Sequence, residues 1–144
     1  MRHVDEALHR QRPSLLGYRI LEASQGRSLV SWTPTQELAN PVGMVHGGFV
    51  GVLVDDTCGS AVASLLDELR AFPTASMHVD FLRGVPVGEE CLCRGAVLRA
   101  GRRLTVAETV IADRSGKVLA KGTCTFALDL SGTGLVGFSA AGTG

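Results

Sequence analysis

Residues 47–66 read "GGFVGVLVDDTCGSAVASLL", and their apolar side chains fall on every side of any helix drawn through them: Phe49, Val50, Val52, Leu53, Val54, Cys58, Ala61, Val62, Ala63, Leu65 and Leu66. The run is too long for an ordinary strand, and its alanines and leucines suit a helix despite the valines and glycines. A helix without a polar face has to be buried on most sides. The rest of the chain must therefore wrap it. Only Asp55 and Asp56 interrupt the run, and they do so before it reaches the roughly 18 apolar residues of a membrane span.

What surrounds this helix reads as β-structure. "GYRILEAS" and "RSLVSWTP" flank the turn-like "QGR" and predict a first hairpin. Beyond the helix, "TASMHVDFLR" alternates Ala75, Met77, Val79 and Phe81 with Thr74, Ser76, His78 and Asp80, the pattern of a strand with one packed face and one polar or ligand-facing one. "EECLCRGAVLRA", "RLTVAETVIAD" and "KVLAKGTCTFAL" continue as strands joined at "AGR" and "DRSGK", both good hairpin turns. Two strands, one helix and four antiparallel strands give a sheet that curls around the helix. The 144 residues suit a single domain. It is expected over residues 15–129, after a polar arm or short helix at 1–14 and before a flexible glycine-rich tail at 130–144.

With 14 basic and 14 acidic residues the chain has no net charge, which favours neither a general nucleic-acid binder nor a membrane-surface binder. Any anionic ligand would need a local cluster of arginines. The four cysteines, Cys58, Cys91, Cys93 and Cys124, form no CxxC pair. The N-terminal "MRHVDEALHRQRP" has no apolar signal-peptide core, so reduced thiols and a cytoplasmic location are expected. His3, His9, His46 and His78 lack the spacing of a zinc motif, so no metal is expected.

The acids pose a chemical question. An unpaired buried carboxylate is costly, so acids in an apolar helix have an exit to solvent or a task. Consecutive residues lie about 100° apart around a helix, so at most one of Asp55 and Asp56 faces any given site. Gly47 and Gly48 fall where the helix begins, with His46 near the N-cap. Helix starts expose backbone N–H groups and partial positive charge, and glycine lets a ligand approach them closely, which makes an oxyanion site. Asp55 follows Gly47 by eight residues, about 12 Å along the axis, too far for both to touch one carbonyl. If the two cooperate, they come from two copies of the chain with antiparallel helices, and the active site lies at a homodimer interface.

Asn40, the "HGG" of His46, Gly47 and Gly48, an acid nine residues after that histidine, and the strand beginning "PTASMHVDFLR" together resemble the hotdog-fold acyl-CoA thioesterases. The branch resembled is the PaaI-like and 4-hydroxybenzoyl-CoA-thioesterase-like one, and the likeness covers residues 15–128 in order. It implies an α+β hotdog fold, with an antiparallel sheet of five to six strands curled around one long central helix. It also implies hydrolysis of an acyl-CoA to free acid and coenzyme A, with no cofactor beyond the coenzyme A of the substrate. By position, Asp55 matches the catalytic carboxylate, as general base on water or as nucleophile. Gly47 matches the partner chain's backbone N–H that polarises the thioester carbonyl. Asn40 and His46 match polar residues that hold water and organise the loop, and Thr74 a hydroxyl that positions the attacking water.

Gly48 and Phe49, at the helix start, are expected to contact substrate. Arg83, Arg102 and Arg103 are expected to contact coenzyme A phosphates. A homodimer is expected, paired further into a homotetramer. His78 and Asp80, drawn on the same strand face as Thr74, would line the dimer interface or the substrate channel. Asp56 would either couple electrostatically to Asp55 or bind an arginine across the interface. Two other readings stand beside hydrolysis. A non-catalytic acyl-CoA-binding regulator of this fold would carry an added DNA-binding segment, for which residues 1–14 are too short. A hydratase or dehydratase would need an acid and a histidine at carbons 2 and 3 of the acyl chain, whereas His46 sits at the helix start.

Overall fold

The structure, a computed structural model, describes residues 16–68 and 70–128. The expected arm at 1–14 and tail at 130–144 lie outside the described residues. Strands β1 (Tyr18–Ser24) and β2 (Arg27–Trp32) form the first hairpin. They turn at Gln25 and Gly26, whose φ of 50° and 75° give the left-handed two-residue turn that matches strand twist. A short 3-10 turn (Gln36–Leu38) and a loop lead into α1 (Gly47–Ala63). Four strands follow: β3 (Thr74–Phe81), β4 (Cys91–Ala100), β5 (Leu104–Asp113) and β6 (Val118–Ala127). They complete one six-stranded sheet in the order β1-β2-β4-β5-β6-β3, with every neighbouring pair antiparallel. This is the expected helix-in-curled-sheet architecture.

The sheet's inner face and α1 share one core. Val30 and Trp32 of β2, Cys91 and Cys93 of β4, Ala107 and Ile111 of β5, and Ala120, Cys124 and Phe126 of β6 close on Val50, Leu53, Val54, Cys58 and Val62 of the helix. Side chains as large as Leu53 and Ile111 each contribute about 1.5–3 kcal/mol when fully buried. Trp32 is sealed in by its indole N–H, which donates to the Leu16 carbonyl at 2.8 Å. Helix and sheet approach closely at Gly122, where a Cβ would stand 2.3 Å from the Val54 side chain, and at Gly95, where it would stand 2.6 Å from the Thr57 carbonyl. All four cysteines are buried, free thiols.

Two local expectations are corrected. The helix stops at Ala63 instead of Leu66, because Leu65 and Leu66 donate to Val62 and Ala63 in tighter i→i−3 bonds. There the Ser64 hydroxyl donates to the Ala61 carbonyl and accepts from Gly26 N–H, tying the helix end to the first hairpin turn. The second correction concerns β3, which is an edge strand. A bulge between Thr74 and Ser76 breaks its alternation. Thr74 and Met77 therefore both turn toward α1, the first to Asp55 and the second to Gly51. His78 and Asp80 lie on the opposite face, paired with each other at 3.1 Å and exposed, away from Thr74.

Candidate active site

The loop before α1 is built by Asn40. Its side-chain carbonyl accepts the N–H groups of Val42 (3.0 Å) and Met44 (3.1 Å). Its own N–H donates to the Met44 carbonyl at 2.7 Å, and its carbonyl accepts from Gly43. With the amide oxygen committed to the loop, only the NH2 of Asn40 is left to point at a ligand. Val45 N–H then bonds to the Val85 carbonyl and His46 N–H to Leu38, which fixes where the helix starts.

His46 is the extended N-cap residue, and its exposed ring makes no capping bond. It meets Phe49 edge-on, with ring centroids 6.3 Å apart. Phe49 and Val50 donate to the His46 carbonyl, so the N–H groups of Gly47 and Gly48 precede the helical ladder. Gly47 lines a cleft of about 370 Å³ whose other walls include Asn40, Met44, Val50, Phe81 and Arg83. The Phe81 ring lies 3.2 Å from where a Gly47 Cβ would be, so it rests directly on this backbone. Gly48 faces open space. Phe49, expected to contact substrate, is half-buried and packs against the core.

Further along α1 the two acids diverge. Asp55 Oδ1 accepts the Thr74 hydroxyl at 2.7 Å from the β3 edge. Asp56 Oδ2 accepts the Tyr18 hydroxyl at 2.5 Å from the β1 edge. Burial raises the Asp56 carboxyl above the ordinary carboxylate range, the Tyr18 bond opposes this, and the neighbouring Asp55 charge adds to it. The same burial and the Asp56 contact push the Tyr18 phenol up. Burial likewise raises the Cys93 thiol to about 12 and Cys91 to about 11, so neither carries thiolate for nucleophilic chemistry at neutral pH.

The expected site residues thus form two groups. Asn40, Gly47 and Arg83 share the cleft at the helix start, beside His46. Asp55 and Thr74 meet two turns further on. The arginines are divided in the same way. Arg83 donates to the carbonyl of Val118, at the start of β6. Arg103 accepts from Leu128, just past the end of β6, a strand of ten residues and about 30 Å away. Arg102 and Arg103 are exposed in the β4–β5 turn. Tyr18 and Phe81 carried no sequence signal. Tyr18 meets Asp56 across 38 positions, and Phe81 reads as one apolar residue of a strand. Among the described residues, no three His, Cys, Asp or Glu side chains gather as a metal site, and no helix is long and apolar enough to cross a membrane.

The sequence profile of the thioesterase superfamily matches residues 42–120, which contain the cleft loop from Val42 onward, α1 and β3 to β5. Human acyl-coenzyme A thioesterase 13 is 28% identical over 106 residues, covering 72% of this chain and 74% of its own. The PaaI protein of the phenylacetic acid degradation operon of E. coli superposes with a TM-score of 0.79 at 21% identity, over 89% of this chain and 92% of its own. A thioesterase protein of Streptococcus pneumoniae TIGR4, solved with coenzyme A, superposes with a TM-score of 0.77 at 22% identity, over 86% and 95% of the two chains. With its six antiparallel strands around one helix, the chain belongs to the thioesterase superfamily and is a thioester hydrolase on the hotdog fold.

Proposed function

We propose that the chain hydrolyses acyl-CoA thioesters at a site assembled from two copies, using Gly47 of one and Asp55 of the other. One observation carries this reading. The exposed helix-start N–H and the carboxylate held by Thr74 lie on a single helix, eight residues and about 12 Å apart, so neither can complete the other within one chain. The edge strand β3 supports a second copy. Met77 and Phe81 are 47% and 57% exposed beside an exposed helix stripe containing Gly48 and Val52. Antiparallel pairing would also bring Arg83 of one copy to the end of the other at which Arg102 and Arg103 lie, within reach of one nucleotide's phosphates. A human relative that is an acyl-coenzyme A thioesterase and a fold relative solved with coenzyme A support coenzyme A as the thiol.

The chemistry balances without a cofactor. Thr74 donates its only hydroxyl proton to Asp55, so toward water it can only accept. A water bonded to both is poised to lose a proton to Asp55 as its oxygen attacks the thioester carbon. Negative charge moves to the carbonyl oxygen, at the Gly47 N–H. The C–S bond then breaks, and the proton returns to the departing thiolate. Direct attack by Asp55, with water opening the resulting anhydride, balances equally; incorporation of labelled oxygen into Asp55 in a single turnover separates the routes.

The test is release of free thiol from a panel of acyl-CoAs. Asp55→Asn is expected to lower turnover by about 10²–10⁴-fold. Gly47→Pro deletes one N–H at the helix position where proline is best tolerated, and should cost about 10²–10³-fold. Full turnover in Asp55→Asn removes that residue from the mechanism.

A further inference from the structure

We infer that Tyr18 and Asp56 act as a positioning pair that sets the roll of α1 and so aims Asp55 at its substrate, which rests on the catalytic reading of Asp55 given above. Strands β1 and β3 are the two free edges of the sheet, and α1 lies in the curl between them. Its underside packs chiefly on β4, β5, β2 and β6, through apolar side chains and through buried bonds to the middle of the helix, the Ser28 hydroxyl donating to the Thr57 carbonyl at 2.6 Å and the Thr109 hydroxyl to the Val54 carbonyl at 3.3 Å. Those bonds seat the backbone of the helix near its axis, where they have little leverage on its roll; the directional bonds with leverage are at the sides, on the acid side chains themselves. Thr74 from one edge holds Asp55 at 2.7 Å, and Tyr18 from the other holds Asp56 at 2.5 Å. Because the acids are adjacent, these bonds pull on the same turn from two directions about 100° apart.

Small rotations matter because a carboxylate stands about 5 Å from the helix axis, so a roll of about 10° moves it by nearly 1 Å. A misplacement of that size is enough to cost about a hundredfold in rate. The Asp56 carboxylate is half-buried, so losing its hydroxyl donor also leaves a charge that is drawn toward water. Asp56 needs to touch neither water nor thioester for this role.

The test uses the full chain, with steady-state kinetics, melting temperatures and an Asp55→Asn control. Tyr18→Phe and Asp56→Ala are expected to lower kcat by about 10- to 100-fold with KM for acyl-CoA unchanged, at temperatures where both variants are folded. Combining them should cost no more than the worse single change, since they break one bond. Asp56→Asn keeps an oxygen that accepts from Tyr18, and should recover most of the turnover lost in Asp56→Ala. Melting temperatures that fall while kcat stays at the wild-type value would reduce the pair to a structural tie. Asp56→Asn as damaging as Asp56→Ala would make charge, not placement, the operative property and overturn the inference. Wild-type turnover in Asp55→Asn removes both readings, whereas a dead Asp55→Asn beside an unaffected Tyr18→Phe removes the positioning pair alone.

Discussion

The carboxylates of Asp55 and Asp56 leave one turn of α1 for opposite edges of the sheet. Asp56 is raised chiefly by burial. A carboxyl whose folded-state affinity for the proton exceeds its unfolded one favours the fold most when protonated. Its contribution is fully present below the ordinary carboxylate value and is lost as pH rises through the raised folded one. Asp56→Asn is free of that loss. Its melting temperature relative to wild type should climb as pH is taken from about 4 to neutrality; a gap that is flat with pH would show that burial of the charge carries no cost. The sequence marks the pair of acids and the helix start plainly, because polar residues inside an apolar run are conspicuous. The residues alone cannot choose between the acids, since the choice is made by hydroxyls 19 and 38 positions away. Only resemblance points to Thr74. The strand's alternation puts it on the wrong face, because one extra residue at a bulge reverses the direction of every side chain before it.

At the scale of elements, the uniform apolarity of α1 is explained by a sheet that covers it from β2 around to β6. Such a helix can seat only where the strand beneath it has no side chain in the way. At Gly122, an added methyl would sit 2.3 Å from one Val54 methyl and 3.1 Å from another. Gly122→Ala is therefore expected to destabilise the fold by about 1–3 kcal/mol, read as a lowered denaturation midpoint. Paired with Val54→Ala it should recover part of that loss, because the obstructing methyls are then gone. Strand count and order along the chain were legible because each strand alternates and each hairpin carries its turn residues. The helix end was not, because Ser64 ends it through contacts with Ala61 and a distant hairpin turn. Nor was the edge position of β3. An alternating strand looks the same whether its apolar face meets a core or a surface that a second copy would cover, and here Met77 and Phe81 are exposed.

For the whole molecule, the proposed two-copy site carries a rule for how defects in its halves combine. If each site takes its N–H from one chain and its carboxylate from the other, chains defective in different halves must complement. Gly47→Pro and Asp55→Asn proteins would each be inactive alone, since every site in either homodimer lacks one part. Unfolded together and refolded as an equal mixture, half the dimers pair one chain of each kind. Each such dimer has one site carrying both lesions and one site carrying neither, so about a quarter of wild-type activity should return. Sites contained within single chains would return none. Light scattering on the same mixture reads the assembly itself, a dimer or the dimer of dimers expected from the family resemblance. Met77→Lys, which places a charge on the exposed edge of β3, should shift it toward monomer and abolish turnover together. A fully active Met77→Lys monomer would overturn the two-copy site: with Gly47 and Asp55 about 12 Å apart on one helix, it would mean that the two do not act on the same carbonyl.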